Sequence, residues 1–106
     1  MIDATAVGEI ITQYEKHGWT PRRALLSEAG SGVYRAAIGE IEVSDSQIDA
    51  IWFSRRSKPD SEAWELRRLS GLPFALVAVI PSSADDAEVA ATLTRLEDEM
   101  RKRTIA

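Results

Sequence analysis

Reactive chemistry has few places to reside in this chain. Of 106 residues, one is histidine, His17, and none is cysteine. Disulfides, thiolate metal sites and cysteine nucleophiles are therefore excluded. A metal site would have to be built from carboxylates, whose hard oxygens favour magnesium, calcium or manganese. No Asp-x-Asp-x-Asp-Gly calcium loop is present. Glu97, Asp98 and Glu99 fall on consecutive positions of a helical pattern and point in different directions, and Asp85–Asp86 reads as charge at a helix start. The pair left is Asp49 and Glu65, the second followed by Leu66 and Arg67. Both sit in segments with strand-like alternation. Neighbouring strands holding them within about 5–6 Å could offer both to one hard cation.

An acid on one strand with Glu-x-Lys on the next, behind an initial helix, resembles the metal-binding frame of restriction-type nucleases. The resemblance covers Asp49, Glu65 and Arg67 alone, and it would imply divalent-metal-dependent nuclease chemistry through them. The chain departs from the frame in three ways: Arg67 stands in the place of lysine, no second acid accompanies Asp49, and no helix precedes the last strand. A strand with Glu65 and Arg67 outward, and Asp49 in an edge or turn hydrogen bond, explains the same residues without catalysis. Other chemistries leave no trace. There is no Gly-x-Ser-x-Gly elbow for a serine nucleophile, and Gly30-Ser31-Gly32 lacks the lysine or further glycines of a phosphate loop.

His17 reads as the end of a helix, not as a base. Val7, Ile10, Ile11 and Tyr14 form the i, i+3, i+4, i+7 stripe of an amphipathic helix from Asp3 to His17. Asp3 or Thr5 can cap its start. Gly18 supplies the left-handed residue that closes a helix, which predicts an apolar contact between Trp19 and Tyr14. Pro21 prevents the helix from resuming.

The elements that follow must position Asp49 and Glu65. Arg22–Ser27 reads as a strand with Ala24 and Leu26 on one face. Val33 to Ile38 has short helical spacing that Gly39 could end, and residues 41–43 alternate like a brief strand. Gln47–Ser54 predicts a strand buried on both faces, with Ile48, Ala50 and Trp52 on one and Ile51 and Phe53 on the other. Glu62–Leu69 alternates as a half-exposed strand with Trp64 and Leu66 inward. A hairpin at Ser70–Gly71 joins it to the strand Phe74–Ile80. Ser83 and Asp86 resemble a capping box ahead of a helix lined by Val89, Leu93, Leu96 and Met100. Glu97–Arg101 and Glu99–Arg103 would be its i, i+4 ion pairs.

The predicted order is α-β-(α)-β-β-β-α: one α+β domain over residues 1–106, with an antiparallel sheet of about four strands packed against N-terminal and C-terminal helices. The length suits one domain. The first residues lack the positive charge and continuous apolar run of a signal peptide, and no segment reaches the ~20 apolar residues of a membrane span. With no cysteine, these features predict a cytoplasmic protein with no membrane association. The net charge of −4 argues against nucleic-acid binding.

Residues 55–81, with five basic against three acidic groups, are the one cationic stretch. They hold Arg55, Arg56, Arg67 and Arg68 around Trp64, the tryptophan–arginine composition of protein-interface hot spots. The sequence therefore predicts a small non-catalytic binding or self-association domain without a cofactor or metal. Its expected interface is a homodimer contact using Trp64, Arg55, Arg56, Arg67 and Arg68, with residues 62–69 near a sheet edge.

Overall fold

The computed structural model describes residues 3–70 and 73–105. In chain order the elements are α1 (Ala4–Lys16), β1 (Thr20–Leu26), α2 (Glu28–Ile38), β2 (Val43–Asp45), β3 (Ala50–Lys58), β4 (Ser61–Arg68), β5 (Ala75–Pro81) and α3 (Asp86–Ile105). The strands form one sheet in the order β2-β1-β3-β4-β5. β1–β2 is parallel and the other three pairings are antiparallel. The α+β class and the terminal helices match the sequence expectation, but the sheet has five strands and is mixed. The difference comes from residues 28–45: α2 begins at Glu28, earlier than the spacing from Val33 suggests, and returns the chain so that β2 lies parallel to β1.

Local chemistry explains where α1 stops. Asp3 caps its start by accepting the Ala6 N–H at 2.8 Å. At the other end Trp19 N–H bonds to Tyr14 O at 3.1 Å and Gly18 N–H to Glu15 O at 3.1 Å, the crossed pair of a Schellman ending. Gly18 has φ of 85°, a conformation in which a Cβ would crowd the following carbonyl. The Tyr14 and Trp19 rings meet edge-on with centroids 6.0 Å apart.

The two faces of the sheet carry separate cores. On one, Val7 of α1 and Tyr34 and Ile38 of α2 pack with Ala24, Leu26, Ile51 and Phe53. On the other, Leu93, Leu96 and Met100 of α3 pack with Leu25, Ala50, Trp52 and Leu66. The expected split of Ala50 and Trp52 from Ile51 and Phe53 is thus the split between cores. β4 and β5 pair as predicted, with Trp64 opposite Ala78 and Leu66 opposite Leu76. Arg68 N–H closes the ladder on Phe74 O at 2.9 Å. The connection contains Ser70, but Gly71 lies outside the described residues. No helix among the described residues is long and apolar enough to cross a membrane.

α3 departs from the sequence reading in two details. Its cap is Asp85, which accepts the Glu88 N–H at 2.8 Å, not Ser83. Glu99 does pair with Arg103 at 3.0 Å, but Arg101 pairs with Asp98 at 3.3 Å, because Glu97 turns into the fold. Its Oε2 accepts the Trp52 Nε1–H at 2.6 Å and Arg23 Nη2–H at 2.8 Å, tying α3 to β3 and β1 together.

Candidate functional site

Asp49 lies just outside β3, and the reason is its own side chain. The residue is 5% exposed, and its Oδ1 accepts both the Ser27 N–H at 2.8 Å and the Ser27 hydroxyl at 3.0 Å. Ser27 in turn caps α2 by accepting the Gly30 N–H at 3.1 Å. Asp49 thus brings negative charge to the positive end of α2 from within the chain. Gly30 leaves the room: a Cβ there would fall inside the van der Waals shell of the carboxylate. The Gly30-Ser31-Gly32 segment forms the first turns of a helix, not a phosphate loop. Asp49 also raises the pKa of the Tyr34 phenol, after the larger effect of burial.

Glu65 pairs in register with Phe53, four residues along from Asp49. The two acids share a face of the sheet but sit roughly 13 Å apart along the strand direction, at about 3.3 Å per residue. The structure therefore does not bring them together for one cation. Among the described residues no group of three or more His, Cys, Asp or Glu side chains could hold a metal ion. The Glu65 carboxylate accepts the Tyr14 hydroxyl instead. Burial, then that bond and the Glu65 charge, push the Tyr14 pKa well above its ordinary value, so Tyr14 stays a protonated donor. Arg67 lies beside the same phenol and donates to its neighbour's carbonyl at Arg68.

The cationic cluster read from residues 55–69 is divided by the sheet. Arg55 and Arg67 lie on the α1 face with Glu65. Trp64 and Arg68 lie on the α3 face, opposite Ser54 and Ala50. Arg56 follows Trp64's side, exposed near the end of β3, across from Glu62. Trp64 is half-buried against Trp52, edge-on at 6.2 Å, with the Arg22 guanidinium 5.3 Å above its ring. These five residues do not make one surface. Nor does β4 form an edge, since it is paired on both sides. Its charges alternate because α1 reaches Glu65 with a tyrosine hydroxyl, not because the strand meets water.

Two features escape the sequence. The first is a cleft of about 370 Å³ at the end of α1, lined by Gln13, Tyr14, His17, Trp19, Arg55 and Glu65. Arg55 covers the Trp19 ring at 4.5 Å and donates to the His17 carbonyl at 3.0 Å. The His17 ring is exposed, with Nε2 3.2 Å from Gln13 Nε2. The lining holds one carboxylate, already bonded, and no serine, threonine or lysine to serve as a nucleophile. His17 thus does the work of a helix ending.

The second feature is β5, the strand beside β4 that forms the edge of the sheet. From Pro73 to Pro81 the chain has no charged residue. Leu76, Ala78 and Ile80 turn toward α3, whereas Ala75, Val77 and Val79 face the α1 side beyond the reach of its helices. Val77 is 55% and Val79 57% exposed. Glu65 and Arg67 flank them, opposite Val77 and Ala75 in register. The signal was present in the absence of charge, but only strand order reveals which strand is an edge.

No protein-family model matches the chain, and neither a curated protein nor a solved structure matches it.

Proposed function

We propose that the chain is a small non-catalytic binding domain that presents the β5 side of its sheet to a protein partner. One observation carries this reading: the edge strand is seven residues long, uncharged, and shows two half-exposed valines beside an unpaired backbone. Natural edges are normally blunted by charge, shortness or a bulge, because bare strands invite pairing. An edge left neutral and regular suits a strand that is covered in use. The non-catalytic part rests on the buried and half-buried carboxylates. Asp49, Glu65 and Glu97 are each bonded to another side chain of the protein, which leaves the nuclease alternative without a shared cation site.

Native mass spectrometry of the protein isolated from cells that make it tests the proposal. The expected result is a species heavier than the 11.7 kDa chain, lost when Val77→Lys and Val79→Lys are combined. A bare chain under the gentlest conditions overturns the reading. So does magnesium- or manganese-dependent cleavage of DNA that Glu65→Gln abolishes.

A further inference from the structure

We infer that the partner of β5 is a second copy of this chain, joined strand to strand in antiparallel fashion with Val77 on the two-fold axis. The inference rests on the proposed binding role of that edge and names its occupant.

The backbone decides which residues can pair. Arg68 N–H bonds to Phe74 O, and Ser82 N–H bonds to Asp60 O at 2.8 Å. In an antiparallel ladder, residues alternate between those that bond to the neighbour and those that point away from it. Phe74, Leu76, Ala78 and Ile80 therefore bond toward β4. Ala75, Val77 and Val79 present N–H and C=O groups to the open side. Pro73 and Pro81 occupy the same open-side positions, and neither has an N–H to offer.

Those two prolines stand four residues before and four residues after Val77. A two-fold through Val77 consequently sets Pro73 of one copy opposite Pro81 of the other. Val77 then exchanges two hydrogen bonds with its counterpart, and Ala75 exchanges two with Val79 at each end. Every open-side donor between the prolines finds an acceptor. Centring the axis on Ala78 sets Pro81 opposite Ala75, and the Ala75 carbonyl loses its donor. A proline-bracketed strand that reads the same from both ends is complementary to itself, which is the requirement of an isologous contact.

Charge on α3 selects the same register. A groove of about 480 Å³ runs along the open side of β5, walled by α3 through Glu88, Arg95 and Glu99. Arg103 lies over Phe74 at 5.1 Å, which sets the C-terminal end of the helix beside the start of the strand. At about 1.5 Å per helical residue and 3.3 Å per strand residue, Arg95 falls level with Val77–Ala78 and Glu99 with Ala75–Leu76. The axis through Val77 directs each Arg95 toward Glu99 of the other copy. Arg95 lies near its own counterpart about either axis, but the axis through Ala78 carries Glu99 of the other copy about 7 Å farther from it. On the opposite face, Val77 and Val79 of both copies form one apolar strip.

The test is light scattering of the pure chain across a dilution series, with variants chosen for the ladder and for the charges. The expected wild-type mass is twice 11.7 kDa. Val77→Pro deletes an N–H that faces only the second copy, so it should leave a folded monomer by circular dichroism. Arg95→Glu should weaken the dimer about tenfold, and adding Glu99→Arg should restore it. The swap keeps the inference testable if Val77→Pro fails to fold. A wild-type dimer indifferent to both the proline and the charge swap places the contact elsewhere and overturns the inference. A pure chain that stays monomeric at about 100 µM, far above a micromolar Kd, also overturns it. The binding reading then survives only if the natively isolated protein carries a different polypeptide.

Discussion

At one edge of the sheet β2 runs for three residues, follows Glu42 and ends on Asp45; at the other, β5 runs for seven without a charge. The first edge is short, acidic at both ends and tied back through the α2 crossover. The second is regular and neutral. Shortness and charge make an edge unattractive to other strands, whereas length and neutrality make it adhesive. The halves behind these edges differ in the same sense. The β1–β2 half is secured by side chains that reach across the fold, Asp49 to Ser27 and Tyr34 and Ile38 into the core. On the α1 side the β4–β5 half ends in valines that touch little.

The comparison predicts large stability effects on the secured half and almost none at the open edge. Gly30→Ala should produce the largest loss, about 3 kcal/mol, since the new methyl and the Asp49 carboxylate cannot share the site. Urea denaturation measures it, and an unchanged midpoint would mean that Asp49 does not lock this half. Glu97→Ala should cost about 2 kcal/mol by stripping the Trp52 indole N–H and Arg23 of a common acceptor. A much smaller loss would show that α3 is held by its apolar stripe alone.

Gly18→Ala isolates a purely local term. Beyond its own chain neighbours no atom lies within 4 Å of the added Cβ, so the left-handed backbone alone should set the loss, about 1 kcal/mol. Val79→Thr belongs at the bottom of the series. Threonine keeps the β-branch, and the monomer at high dilution should lose less than about 0.5 kcal/mol. A larger monomer loss would mean that the β5 face is already packed, and the contrast between edges would dissolve.

What could be read from sequence follows the same boundary between local and distant causes. The α1 ending is encoded in the six consecutive residues from Tyr14 to Trp19, and both the left-handed Gly18 and the Tyr14–Trp19 contact take their expected places. The two-faced alternation of β3 and the antiparallel pairing of β4 with β5 are likewise local and both appear, although β3 runs over Ala50–Lys58 and does not end at Ser54. α2 was legible only from Val33, because Gly30, Ser31 and Gly32 are poor helix formers. They are tolerated because Ser27 caps the helix and Asp49, 22 residues on, occupies the space that Gly30 leaves. The sequence names both residues but not their meeting. Glu97 misled in the same way: its spacing to Arg101 fits a surface pair, yet Trp52 and Arg23 offer it two donors from other strands. The five residues read as an interface are divided between the faces for a geometric reason. Neighbours along a strand point to opposite faces, so the arginines around Trp64 do not form one patch.

The shared acceptor on Glu97 also gives the fold an optical property. Trp52 is 1% exposed and its indole N–H ends on a carboxylate carried by α3, whereas Trp19 and Trp64 are half-open beneath arginines. The bluest part of the chain's fluorescence should therefore come from Trp52, and its colour depends on a helix at the other end of the sequence. If α3 lifted from an otherwise intact sheet, water would reach that indole and its emission would move to the red. Circular dichroism of the strands would barely change. The detachment of one helix would be visible as a shift of wavelength before any strand separates.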